Sequence, residues 1–215
     1  MTATALQPLP LQTPDIAGKV AVVVGSGRDS TATASALASA GAAVALGAED
    51  ESAVTRTARA IQASGGRALA IPTDPSEPRA LGRLIEATVD AFGGLDVAVN
   101  SPGPVRHAAQ TAASACRAVY LAMRYELPAL LPSGGGVVVN SALAPAGSRS
   151  EEAECVIGLS RAAALDHAGR VRINAVAYGP GTPEDFAAAA LWLCSERANG
   201  VNGAALPVGL RPALA

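Results

Sequence analysis

The chain has 215 residues, 50% of them hydrophobic, with 16 Lys and Arg against 18 Asp and Glu and a formal net charge of -2. That is enough apolar material for one sizeable core, so a single α/β domain is the simplest reading. The scattered basic residues exclude the field expected of a nucleic-acid or anionic-lipid binder, and no apolar run approaches the ~18 residues that span a bilayer.

Met1 to Ile16 holds three prolines and no Lys or Arg. It lacks the basic region and apolar core of a secretion signal, and reads as a flexible tail (residues 1–16) on a cytoplasmic domain, residues 17–215. Cys116, Cys155 and Cys194 are odd in number and far apart, which suits neither a disulfide framework nor a metal site; the expected role is that of small buried hydrophobes. His107 and His167 lack the spacing of a ligand set and are assigned to structure or surface, so no metal is expected.

Val20 to Val24 is an apolar run of strand length; Gly25 and Gly27 then turn the chain into an Ala-rich helix ending at Gly41. Such a strand–turn–helix unit aims the N–H groups of the helix at the sheet's carboxyl edge, where a dinucleotide pyrophosphate can sit. Further strands are expected over Ala43–Leu46, Ala68–Pro72, Leu95–Asn100, Val137–Asn140, Val171–Val176 and Gly203–Val208. Helices are expected over Glu51–Ser64, Glu77–Phe92, about Thr111–Leu131, Glu151–His167 and from an N-cap Thr182 to about Ser195. This alternation implies a Rossmann-like, doubly wound parallel sheet of about seven strands.

Six ordered blocks resemble the short-chain dehydrogenase/reductase family: Ala17–Gly25, Gly94–Gly103, Gly134–Asn140, Val156–Leu159, Val171–Ala177 and Thr182–Asp185. The closest flavour is the β-ketoacyl reductase type, and the resemblance implies NAD(P)H-dependent carbonyl reduction. The family's turn reads Thr-Gly-x-x-x-Gly-x-Gly, whereas Asp29 and Thr31 replace its second and third glycines here. Both oppose a phosphate, and capping of the helix by Asp29 or Ser30 is the favoured reading. The ribose-selecting position after strand two is Ala48, with Glu49 or Asp50 a small shift away. By resemblance Gly25, Gly27, Arg28, Asp74, Asn100 and Gly103 are the candidate dinucleotide contacts, for weak NADP or NAD binding or for none.

The family's Asn, Ser, Tyr and Lys fall on Ala115, Leu143, Arg149 and Ala153. Proton donation to a developing alkoxide contributes ~10²–10⁴-fold in such reductions, and an arginine holds its proton too tightly to give it. No Tyr lies between Val137 and Asp166, so a small change of register restores nothing. The segment that closes over substrate in the family is also short, Ala177–Asp185 leading almost directly into the last helix.

The fifth helix keeps small and apolar residues, Cys155, Val156, Gly158, Leu159, Ala162 and Ala163, and in the family the fourth and fifth helices and the last strand form subunit interfaces. The expected function is a non-catalytic subunit that pairs through these elements with an intact NAD(P)H-dependent ketoreductase of a biosynthetic pathway. The alternatives are an atypical enzyme of the same fold, a cofactor-independent cyclase or dehydratase with Tyr178, Ser141, Arg149 and Glu151 around one cleft, or an NAD(P)-dependent oxidoreductase with a relocated acid. Tyr178 is expected chiefly to pack over the shortened loop.

Overall fold

The computed structural model describes residues 15–25, 27–102, 112–143, 150–179 and 183–209. Within them β1 (Val20–Val24), α1 (Arg28–Ser39), β2 (Ala43–Ala48), α2 (Glu51–Ala63) and β3 (Arg67–Pro72) are followed by α3 (Pro78–Phe92), β4 (Val97–Asn100) and α4 (Ala112–Leu130). Then come β5 (Gly136–Leu143), α5 (Glu151–Asp166), β6 (Val171–Tyr178), α6 (Pro183–Cys194) and β7 (Ala205–Val208). All paired strands are parallel, in the order β3-β2-β1-β4-β5-β6-β7. The strand order reverses between β1 and β4, which creates a crevice at their carboxyl ends.

The period of two along each strand divides the core into two layers. Ala21 and Val23 face α1, α2 and α6, where they meet Leu37, Ile61 and Phe186. Val20, Val22 and Val24 face α3, α4 and α5, where they meet Leu84, Leu130 and Val156. Local chemistry sets the helix ends: Asp50 and Ser150 accept hydrogen bonds from Ala53 and Ala153 as N-caps, and Gly93 closes α3 in the left-handed region at φ 92.

Several boundaries differ from expectation: β2 runs on to Ala48, β4 begins at Val97 and β7 at Ala205. β5 continues past Asn140 to Leu143 and β6 past Val176 to Tyr178, because these strands pair with each other through Leu143↔Tyr178. Ile16 does not belong to a tail. Its side chain is buried in the α1–α6 layer and its carbonyl accepts from Lys19 N, so the packed chain begins before residue 17.

The cysteine expectation is corrected as well. Cys116 and Cys155 form a disulfide between α4 and α5, with Cα atoms 5.9 Å apart, while Cys194 is a buried free thiol as expected. Although 39 residues separate the two in sequence, the helices that carry them pack side by side and bring them within bridging distance.

Candidate functional site

Gly25 leaves β1 at φ 140, and a Cβ there would overlap the Ser101 carbonyl oxygen at the end of β4. Glycine is therefore required by the close approach of two backbones, whatever else binds nearby. A Cβ on Gly27 would overlap Asp29 Oδ1, so the Asp29 side chain folds back over the turn.

Gly27, not Asp29 or Ser30, is the N-cap residue of α1, and no side chain caps it. Asp29 instead reaches across the crevice: the Ser101 hydroxyl donates to Asp29 Oδ2, and the Tyr178 hydroxyl donates to the same oxygen at 2.7 Å. Ser30 Oγ donates to the Ser101 carbonyl at 3.3 Å. The capping expectation fails because tertiary partners from β4 and β6 outbid the local N–H groups for this carboxylate.

Tyr178 stands at the carboxyl end of β6, its ring 4.8 Å from that of Phe186 at a tilt of 47°. The ring packs on α6, the loop it was expected to cover lies largely outside the described residues, and the tyrosine hydroxyl is also held. Burial, then the Asp29 charge and hydrogen bond, raise its pKa above the usual phenol range, although Ser101 and Ser141 hydroxyls oppose the shift. A phenol so placed is a donor fixed on a carboxylate and a poor source of protons at neutral pH.

The other candidates are placed as follows. Arg28 is exposed at the start of α1. Asp74 Oδ1 accepts from Ser76 N at 2.8 Å and Ser76 Oγ at 2.7 Å, which closes a local turn. Asp50 is committed to the α2 cap, and Ala48 is buried at the end of β2. Asn100 is buried with its amide turned inward, donating to Glu126 and Asn140. Ala115 and Ala153 are buried and Leu143 is 41% exposed. Gly103, His107, Arg149 and Thr182 lie outside the described residues. β6 ends at Tyr178 and α6 begins at Pro183, so the connection between them is short.

The first turn of α1 presents the Asp29 carboxylate at the β1–β4 crevice, and a like charge there weakens the attraction of this helix N-terminus for a pyrophosphate. One cleft of about 420 Å³ opens at the sheet's amino edge, beside Lys19, Asp96 and Gly135, and another of about 520 Å³ lies beside Arg28, Thr31, Arg56 and Glu184, where α1, α2 and α6 meet. At the amino edge Lys19 pairs with Asp96 at 3.5 Å, and Arg172 donates to the Leu193, Ser195 and Ala198 carbonyls. Among the described residues no cluster of His, Cys, Asp and Glu is arranged to hold a metal, and no helix is long and apolar enough to cross a membrane. Sequence reasoning singled out Asp29 and Tyr178 separately; it missed their pairing and the role of Ser101.

Residues 30–181 match the family model described as enoyl-(acyl carrier protein) reductase. The chain is 29% identical over 181 residues to cyclohexanol dehydrogenase of Acinetobacter sp. (strain SE19), covering 75% of this chain and 72% of that protein. It is 28% identical over 218 residues to the A-factor type gamma-butyrolactone 1'-reductase (1S-forming) of Streptomyces virginiae, covering 77% and 84% respectively. The crystal structure of a dehydrogenase/reductase from Sinorhizobium meliloti 1021 superposes with a TM-score of 0.78 at 28% identity, over 90% of this chain and 94% of that one. With the parallel sheet, its strand order and these matches in agreement, the chain belongs to the short-chain dehydrogenase/reductase family.

Proposed function

We propose that this chain is a non-catalytic member of its oxidoreductase family, a subunit that pairs with an active NAD(P)H-dependent ketoreductase of a biosynthetic pathway and supports it by packing. The observation that carries the reading is the Asp29–Tyr178–Ser101 cluster at the β1–β4 crevice. It satisfies from within the chain a place that a cofactor would otherwise fill, so dinucleotide binding is weak or not required. The apolar residues Ala115 and Ala153 at the positions of the family's Asn and Lys agree with this, since neither side chain can move a proton or hold a ribose. On the side offered to a partner, Cys155 and Gly158 leave the outer surface of α5 low, and Tyr120 of α4 and Leu165 of α5 are 51% and 74% exposed. Large exposed apolar groups on adjacent helices favour association.

The test is co-expression with the nearest intact reductase encoded in the same gene neighbourhood, reading native mass and NADPH-dependent ketone reduction for each chain alone and together. A mixed oligomer more active than the intact protein alone is the expected result. Separate species with unchanged activity would refute it. A second reading, cofactor-independent chemistry at Tyr178, draws on the oxygen functions of Asp29, Ser101 and Ser141 around one phenol. It requires activity of the isolated chain that Tyr178→Phe abolishes.

A further inference from the structure

Beneath that crevice the sheet is joined to the α4–α5 layer by polar side chains buried from solvent: Asn100 at the end of β4, Asn140 in β5, Glu126 in α4 and Ser160 in α5. Asn100 Nδ2 donates to Glu126 Oε2 at 2.9 Å and to Asn140 Oδ1 at 3.0 Å. Asn140 Nδ2 donates to Ser160 Oγ at 3.0 Å and to Met123 Sδ at 3.3 Å, and the Ser160 hydroxyl donates to the Val156 carbonyl at 2.7 Å. Every side-chain N–H and O–H of the set is thereby used. Two acceptors are left over, Asn100 Oδ1 and Glu126 Oε1, both buried and without a partner among the described residues.

An orphaned oxygen on each member of one hydrogen-bonded acid–amide pair means that the set is short of one donor. An ionised Glu126 would also place a full charge in an apolar interior, answered by a single N–H, and burying a charge without an opposite partner costs several kcal/mol. Among the described residues, nothing packed against it supplies that partner. The facing residues of β4 and β5 are the two asparagines, and α5 contributes Ser160. The charged residues Arg79, Arg83, Glu86 and Asp90 of α3 are exposed, as are Glu151, Glu154, Arg161 and Asp166 of α5, with Glu152 half-buried. Arg117 and Arg124, on α4 itself, are also exposed.

We propose that Glu126 is held as the neutral acid, that its carboxyl proton is the missing donor to Asn100 Oδ1, and that loss of this proton loosens α4 from the sheet. The acid and the amide then form a closed two-bond pair, and every buried polar atom named above has a partner. Burial pushes the Glu126 carboxyl up from 4.5 to about 7, and the Asn100 hydrogen bond opposes this only in part. Below pH 4.5 folded and unfolded chains both carry the proton. As pH rises from there towards 7 the unfolded chain releases it and the folded chain keeps it, so stability falls across this window and levels off above it. A full shift of this size lowers the folding equilibrium constant roughly 300-fold.

The experiment is urea denaturation of the full chain between about pH 5 and 8, wild type against Glu126→Gln. Glutamine places an N–H₂ where the acid places its O–H, and keeps a carbonyl for Asn100 Nδ2. The expected result is that Glu126→Gln removes most of the fall in stability with pH and is at least as stable as wild type at the alkaline end. Because both chains share every other carboxylate, including Glu152, their difference isolates Glu126. Glu126→Gln with the wild-type pH slope, or less stable than wild type at the alkaline end, would overturn the proposal. Infrared spectra of the folded wild type supply a check that needs no variant to fold. A protonated-carboxyl band at about pH 6 that fades by about pH 8 is expected, and a spectrum without it at about pH 6 overturns the proposal equally.

Discussion

Asp29→Ala removes the acceptor of two hydroxyls at once, one from β4 and one from β6. A hydrogen bond to a charged group contributes ~1.5–3 kcal/mol when its partners are shielded. Ser101 is buried but Tyr178 and Asp29 are half-buried, so water replaces part of what is lost, and a net loss of about 2 kcal/mol is expected. For a domain of this size that corresponds to a fall of ~4–8 °C in Tm. Tyr178→Phe keeps the ring on Phe186 and leaves Asp29 with Ser101, and is expected to cost about 1 kcal/mol. Because the two side chains share one bond, the double variant should lose about 1 kcal/mol less than the two single losses added together. Urea denaturation followed by circular dichroism on the four proteins measures this coupling. Losses that add to within ~0.3–0.5 kcal/mol would show that the Asp29–Tyr178 contact contributes nothing, and with it would go the view that the crevice is satisfied from within.

The Cys116–Cys155 bond closes a 39-residue separation, for which loop-closure entropy gives a stabilisation of about 4 kcal/mol. Reductant should therefore lower the Tm of the wild type but not of a Cys116→Ser, Cys155→Ser double variant. Alkylation of the denatured, unreduced chain should label Cys194 alone, and labelling of all three thiols would remove the crosslink from the fold. Tyr178 predicts a second pH response. Its phenol keeps the proton in the folded chain after the unfolded chain has lost it at 10.0, so stability should decline as pH rises past that value. Tyr178→Phe should flatten the decline, and an unchanged alkaline slope would refute the shift.

Much of the architecture was legible in the residues alone. Val20–Val24 is apolar at every position because both sheet faces are covered by helices, and a run that short, followed by glycines, reads as a central strand. Gly25, Gly93 and Gly134 mark chain reversals that need positive φ, and the same local logic located the seven strands and six helices described above. Those signals act within a few residues, and a sequence displays them directly. The order of the blocks was likewise enough to point to the family.

The contents of the crevice were not legible in this way. Asp29 and Tyr178 are 149 residues apart, and taken singly the first read as a helix cap and the second as a loop aromatic. Their meeting depends on β4, β5 and β6 lying on the same side of β1 in a fixed register, which carries the ends of β4 and β6 over the start of α1. Cys116 and Cys155, and Glu126 and Asn100, are pairs of the same kind, each set by how one element lies on another. Hydrophobic periodicity states which face of a strand or helix turns inward. It carries no record of which residue waits opposite, and at this site the partner decides whether a carboxylate caps a helix or holds a tyrosine, and whether a buried acid keeps its proton.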